Sequence, residues 1–104
     1  MTRCGYASEA PSPVVVLSGG GGGARLAGAL WGEAKGRQVV VVTNTGDDFE
    51  HLGLLICPDT DSVLYTLSGK IDQQRGWGRA EESWAVFEEL KNIGGPGWFQ
   101  VGDK

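Results

Sequence analysis

Apolar residues near the start of the chain fall in two unbroken runs. One is "VVVLS" (Val14–Ser18); the other lies within "RQVVVVTNT" (Arg37–Thr45). Neither alternates with polar residues, and both are β-branched, which suits strands covered on both faces as in a parallel sheet. Between them, "ARLAGALWGEAK" places Leu26, Ala27, Ala29 and Leu30 at helical spacing, and Gly36 supplies a stop. Strand, helix and strand in this order predict a βαβ unit. The second half reads differently. "GDDFEHLG" is expected to be a polar loop and Leu54–Cys57 a short strand. Asp59 is expected to N-cap a helix with Asp61 in its first turn and Gly69 at its end. "KIDQQRGWG" reads as loop. "RAEESWAVFEELKNIGG" reads as an amphipathic helix burying Trp84, Phe87, Leu90 and Ile93, ended by Gly94, Gly95 and Pro96. Residues 1–12 are expected to be a flexible leader, with residues 13–104 forming part of one domain.

Composition narrows the function classes. The 104 residues carry a formal charge of −4 with acids and bases mixed, so no basic stripe for nucleic acid is present. No apolar run approaches the roughly 18 residues of a membrane span. Cys4 and Cys57 lie far apart without a C-x-x-C partner, so neither a disulfide framework nor a zinc site is expected, and a reducing cytoplasm suits the chain.

The chemistry-bearing residues cluster around the first two strands. Five consecutive glycines, Gly19–Gly23, separate the first strand from the helix, and Gly19-x-Gly21-x-x-Ala24 satisfies a dinucleotide-type spacing. Backbone N–H groups and the positive end of a helix there offer an anion site. The same glycines also suit a close contact between helix and sheet. Asp47, Asp48 and Glu50 follow the second strand, at the carboxyl edge where open α/β sheets bind ligands, and Asp59 and Asp61 open the next helix. Such carboxylates beside phosphates suit Mg²⁺; ribose binding by Asp47 or Asp48, and simple helix capping by Asp59 and Asp61, explain them too. His51 stands beside the acids as a proton or phosphate partner or a solvated loop residue. Arg25 opens the helix within reach of a phosphate, and Trp77 is the tryptophan best placed to stack on a flat ring.

"VLSGGGGGARL", "NTGDDFEHLGLLICPDTDSVLYTLSG", "RGWG" and "GGPGWFQVGD" together resemble the N-terminal third of the 2-phospho-L-lactate transferases, the CofD family. The resemblance runs from Val14 to Asp103. It implies an α/β, Rossmann-like, three-layer fold with a mainly parallel sheet, of which this chain would be the N-terminal part, in a protein that is dimeric at full length. It also implies transfer of a phospholactyl or phosphoenolpyruvyl group from a guanosine diphosphate-linked donor to the deazaflavin Fo (7,8-didemethyl-8-hydroxy-5-deazariboflavin), with Mg²⁺ required and GMP released, in coenzyme F-420 biosynthesis. On the matching positions, Asp47 and Asp61 would be catalytic and metal-binding, Asp48 and Asp61 would face the ligands, and Gly19, Gly20, Gly22 and Gly23 would hold phosphate. Three positions depart from the family pattern. Gly21 stands where Val or Thr is common, Gln100 where Arg or Lys is usual, and Lys104 where Arg is usual. Two other readings account for fewer of these residues. A YvcK-type nucleotide-sugar-binding protein shares the glycine loop, and a NAD-type oxidoreductase explains the glycines and Asp47 but neither PD-x-D nor GWG.

Overall fold

The computed structural model describes residues 11–104. The expected leader and Cys4 therefore lie almost wholly outside the described residues. Strand β1 (Val14–Ser18) pairs in parallel with β2 (Val39–Thr43), Val14 opposite Val39 through Ser18 opposite Thr43. Helix α1 (Gly20–Glu33) makes the crossover. A short antiparallel hairpin follows, β3 (Phe49–His51) with β4 (Leu54–Ile56), and then helices α2 (Pro58–Leu67) and α3 (Ala85–Asn92). This is the α/β arrangement, with a parallel pair, that the apolar runs predict.

The helices cover one face of the β1–β2 sheet. Val16 and Ser18 point to that face and are buried, and so are Ala24 and Ala27 of α1. Small residues let α1 approach closely. A Cβ on Gly23 would lie 2.6 Å from the Ser18 hydroxyl and 3.0 Å from its Cα, and one on Gly28 would lie 3.3 Å from the Thr66 methyl of α2. The opposite face carries Val15, Leu17, Val40 and Val42, all exposed. Two of the three expected layers are thus present among the described residues.

Several boundaries differ from expectation, each for a physical reason. The helix starts at Gly20, not after the glycine run, so Gly20–Gly23 form its first turn. The chain leaves β1 through Gly19 in extended conformation and turns into the helix at Gly20, whose φ of +63° lies in the left-handed region that glycine adopts without strain. The expected polar loop contains β3. Leu52 and Gly53 both have positive φ, the signature of a two-residue type I′ turn, although Leu-Gly is a weak sequence signal for it. Asp59 is not an N-cap: Pro58 starts the helix, and the Asp59 carboxylate reaches across to another element.

Helix α3 is shorter than the amphipathic pattern suggests. Glu81 at φ +57° breaks the expected first turns, Phe87 is buried, and Ile93 is 78% exposed. Its N-terminus is satisfied from a distance. The Asp103 carboxylate accepts the N–H groups of Ala85 (2.9 Å) and Val86 (3.0 Å) and the Ser83 hydroxyl (2.7 Å). These contacts hold the Asp103 carboxyl below its ordinary pKa, the Ser83 hydroxyl first and the two backbone N–H groups next. Gly94 (φ +80°) and Gly95 close the other end, with Gly95 donating to the Leu90 carbonyl at 2.7 Å.

Candidate functional site

The carboxyl ends of β1 and β2 feed the glycine turn and the 44–48 loop, and Asn44 N–H donates to the Ser18 carbonyl at 2.9 Å, so the two leave the sheet side by side. The start of α2 completes the edge, with Thr43 and Thr60 sharing a hydroxyl–hydroxyl bond of 2.7 Å. Asp59 is buried there and accepts the Gly20 N–H. A shallow depression of about 410 Å³ lies over this edge between Leu17, Gly19, Val42 and Asn44. Gly76 of the 72–78 loop also comes close: a Cβ on Gly21 would lie 3.8 Å from its carbonyl oxygen and from the Arg25 guanidinium. That is ordinary contact, so the backbone leaves room for a Cβ at this position.

The acids separate into two groups. Asp59 belongs with the glycine turn. Asp48 meets Asp61: burial first, then the negative charge of Asp48, push the Asp61 carboxyl up from its ordinary pKa. The Cys57 thiol sits in the same group. Partial burial pushes it up, as do a hydrogen bond to Asp48 and the charges of Asp48 and Asp61, so it stays a protonated thiol. One Asp48 carboxylate oxygen is buried with no hydrogen-bond partner. Asp47 is exposed, and the charge acting on Asp61 is that of Asp48. Among the described residues no three His, Cys, Asp or Glu side chains converge as a ready-made metal cage. Two neighbouring carboxylates, one with an unsatisfied buried oxygen, nevertheless suit Mg²⁺, which takes one or two carboxylates and keeps several waters.

Asp61 also lies at the wall of a larger cleft of about 440 Å³, lined by Tyr65, Trp77, Trp84, Arg79 and Phe99. Trp77 is 62% exposed, with the Arg75 guanidinium 4.9 Å from its ring centre. Arg75 is fixed in turn by Asp72 at 2.9 Å. Trp84, expected in the core, lines this cleft instead. The Tyr65 hydroxyl is pushed up by burial and by the charges of Asp61 and Glu82, against the opposing pull of Arg79. Gln100 is on the wall too.

His51 is neither solvated nor at the anion edge. It is 5% exposed and packs edge-on against Trp98 (5.0 Å) and Phe99 (5.5 Å), with Phe49 beside them. This aromatic cluster ties the C-terminal segment to β3 and so holds Phe99 and Gln100 at the cleft.

Sequence reasoning missed Tyr65 and Asp103. Tyr65 stands four residues after Asp61, one turn along the same helix face, a spacing that would have found it. Nothing in the sequence around Asp103 signals a cap for a helix 18 residues earlier.

The sheet edge thus carries a glycine turn held by buried Asp59, and Asp61 links Asp48 to an aromatic cleft. The family model described as 2-phospho-L-lactate transferase CofD matches residues 14–93, and the chain belongs to that family. Among curated relatives it is 50% identical over 92 residues to the phosphoenolpyruvate transferase of Streptomyces griseus and 48% identical over 93 residues to that of Kitasatospora aureofaciens. It is 41% identical over 106 residues to that of Mycobacterium tuberculosis. These matches take in 88% of this chain but only 29–32% of each relative, so the chain spans about three tenths of their length. Among the described residues no helix is long and apolar enough to cross a membrane.

Proposed function

We propose that this chain forms the acceptor- and phosphate-facing part of a cytoplasmic, dimeric transferase. The enzyme would move a phosphoenolpyruvyl or phospholactyl group from a guanosine diphosphate-linked donor to the ribityl hydroxyl of the deazaflavin Fo, releasing GMP, in coenzyme F-420 biosynthesis. The observation that carries this reading is Asp61. It joins an aromatic cleft to a second carboxylate, and its surroundings raise its affinity for a proton.

The chemistry is attack of a hydroxyl on phosphorus with a nucleoside monophosphate leaving, which depends on alignment and charge neutralisation. Tyr65, Trp77 and Trp84 offer apolar faces for a flat ring. Asp61 and Asp48 are the two carboxylates available to accept the hydroxyl proton, the role falling to an oxygen not engaged with the metal. Gly21 and Gly22 at the start of α1 offer N–H groups to donor phosphate, since the Gly20 N–H is taken. Asp48 and Asp61 would hold Mg²⁺, with exposed Asp47 as a further ligand. The ion would supply the positive charge that an acidic edge facing an anionic donor lacks.

The test is a chimaera in which residues 14–104 replace the matching segment of the Streptomyces griseus relative. It is incubated with Fo, Mg²⁺ and each guanosine-linked donor and analysed by mass spectrometry for the F-420 precursor and GMP. Both products are expected, with turnover falling by about 10²-fold or more on Asp61→Asn. NAD reduction, or tight UDP-sugar binding without transfer, would refute the reading in favour of an oxidoreductase or a YvcK-type protein.

A further inference from the structure

None of the roles above uses Asp59, although it is the most enclosed carboxylate among the described residues, only 5% exposed. A buried carboxylate is costly unless donors compensate it. Its donors come from two other elements. Oδ1 accepts the Gly20 N–H at 2.5 Å, and Oδ2 faces the Asn44 amide nitrogen at 3.5 Å. Asn44 carries the connection further, since its Oδ1 accepts the Gly46 N–H at 3.1 Å. One side chain in the first turn of α2 thus reaches the turn after β1 directly and the loop after β2 through a single amide.

Those three segments carry the groups that the transferase reading assigns to the site: the N–H groups of Gly21 and Gly22, Asp48, and Asp61. We propose that Asp59 is a positioning residue. It locks the glycine turn, the 44–48 loop and the start of α2 in one arrangement, so that Asp48 and Asp61 meet at one cleft. It does so without touching substrate, because its enclosure leaves no room for contact. The assignment of the held loops to donor and acceptor binding rests on the function proposed above; the locking itself does not. Asp59 also consumes the first N–H of α1, so an incoming phosphate meets a helix end already partly neutralised by protein.

The test is a set of amide spectra of the ¹⁵N-labelled chain, with GDP and Mg²⁺ as the binding probe. Asp59→Ala is expected to move the Gly20 and Gly46 signals together and to weaken GDP about tenfold or more, as loss of a charge-assisted bond implies. Asp59→Asn keeps an oxygen acceptor. Gly20 should stay, Gly46 should move because Asn44 must reorient, and GDP affinity should stay within about threefold of the parent. Asn44→Ala, at an exposed side chain, should move Gly46 and spare Gly20. If Asp59→Ala fails to fold, Asp59→Asn and Asn44→Ala still decide. A Gly46 signal that ignores both Asp59→Asn and Asn44→Ala overturns the proposal, as does an Asn variant no better than Ala. A parent chain that ignores GDP counts against the donor reading instead, while the Gly20 and Gly46 pattern still reports on Asp59.

Discussion

Gly22 and Gly23 are neighbours in one helical turn, yet the same substitution at each is expected to act in opposite directions. A Cβ on Gly22 meets nothing within 4 Å. Alanine there restricts the unfolded chain and suits the helix, which stabilises by about 0.5–1 kcal/mol. A Cβ on Gly23 lies 2.6 Å from the Ser18 hydroxyl, 3.0 Å from Ser18 Cα and 3.1 Å from its carbonyl carbon. The hydroxyl can rotate away; the strand backbone cannot. Overpacking of this kind costs about 1–3 kcal/mol. The propensity gain is common to both positions, so the gap between the variants is the clash itself. For a domain of this size each kcal/mol moves Tm by about 4–8 °C. Thermal unfolding by circular dichroism should therefore find Gly22→Ala above the parent and about 1–3 kcal/mol above Gly23→Ala. Ser18→Ala removes the nearest clashing atom and should recover part of the Gly23→Ala loss, at little cost, because that buried hydroxyl has no partner. Two variants of equal stability would refute the close helix–strand contact, and with it the reason for glycine at position 23.

Ionisable groups give two predictions of opposite sign. The Asp61 carboxyl has a raised folded pKa, so the stability it contributes is present below its unfolded value, about 3.9, and is lost as pH rises through the folded value. Asp61→Asn should accordingly raise Tm at pH 7 and match the parent near pH 3, and saturating Mg²⁺ should narrow the difference at pH 7. The Asp103 carboxyl has a lowered folded pKa, so its contribution is present above about 3.9 and fades as pH falls through the folded value. Asp103→Ala should lower Tm at neutral pH and flatten its acid dependence; an unchanged acid limb would mean the carboxylate does not cap α3. Gly21→Ala should leave stability within about 1 kcal/mol of the parent, since a Cβ there meets only ordinary contacts.

The two parallel strands and the first crossover were legible because β-branched runs without alternation admit few other placements. That the glycine turn and the 44–48 loop leave the sheet side by side was legible for a related reason: both follow strand ends directly. What each acid does was not. Asp59 and Asp61 sit two residues apart in one helical turn, and which of them faces the cleft depends on how α2 rotates against α1. Rotation of that kind is set by Gly28 against Thr66 and by the Thr43–Thr60 bond, contacts between distant residues. His51 was misjudged similarly, because the rings that enclose it come from Trp98 and Phe99, nearly fifty residues later. The β3–β4 turn was hidden because Leu52 accepts a left-handed conformation that its side chain does not advertise.

The distant cap on α3 has a consequence for the order of events during synthesis. All eight residues of the helix are made once Asn92 is added, but eight residues alone do not hold helical structure in water. The acceptor for its first N–H groups is Asp103, eleven residues further on. On a ribosome that adds residues from the N-terminus, β1, α1 and β2 are complete well before α3 can be fixed. The segment between them, which lines the aromatic cleft, waits for the same residue. A released chain ended at residue 98 should therefore be cut by protease within residues 79–92, while the chain that runs past Asp103 is protected there.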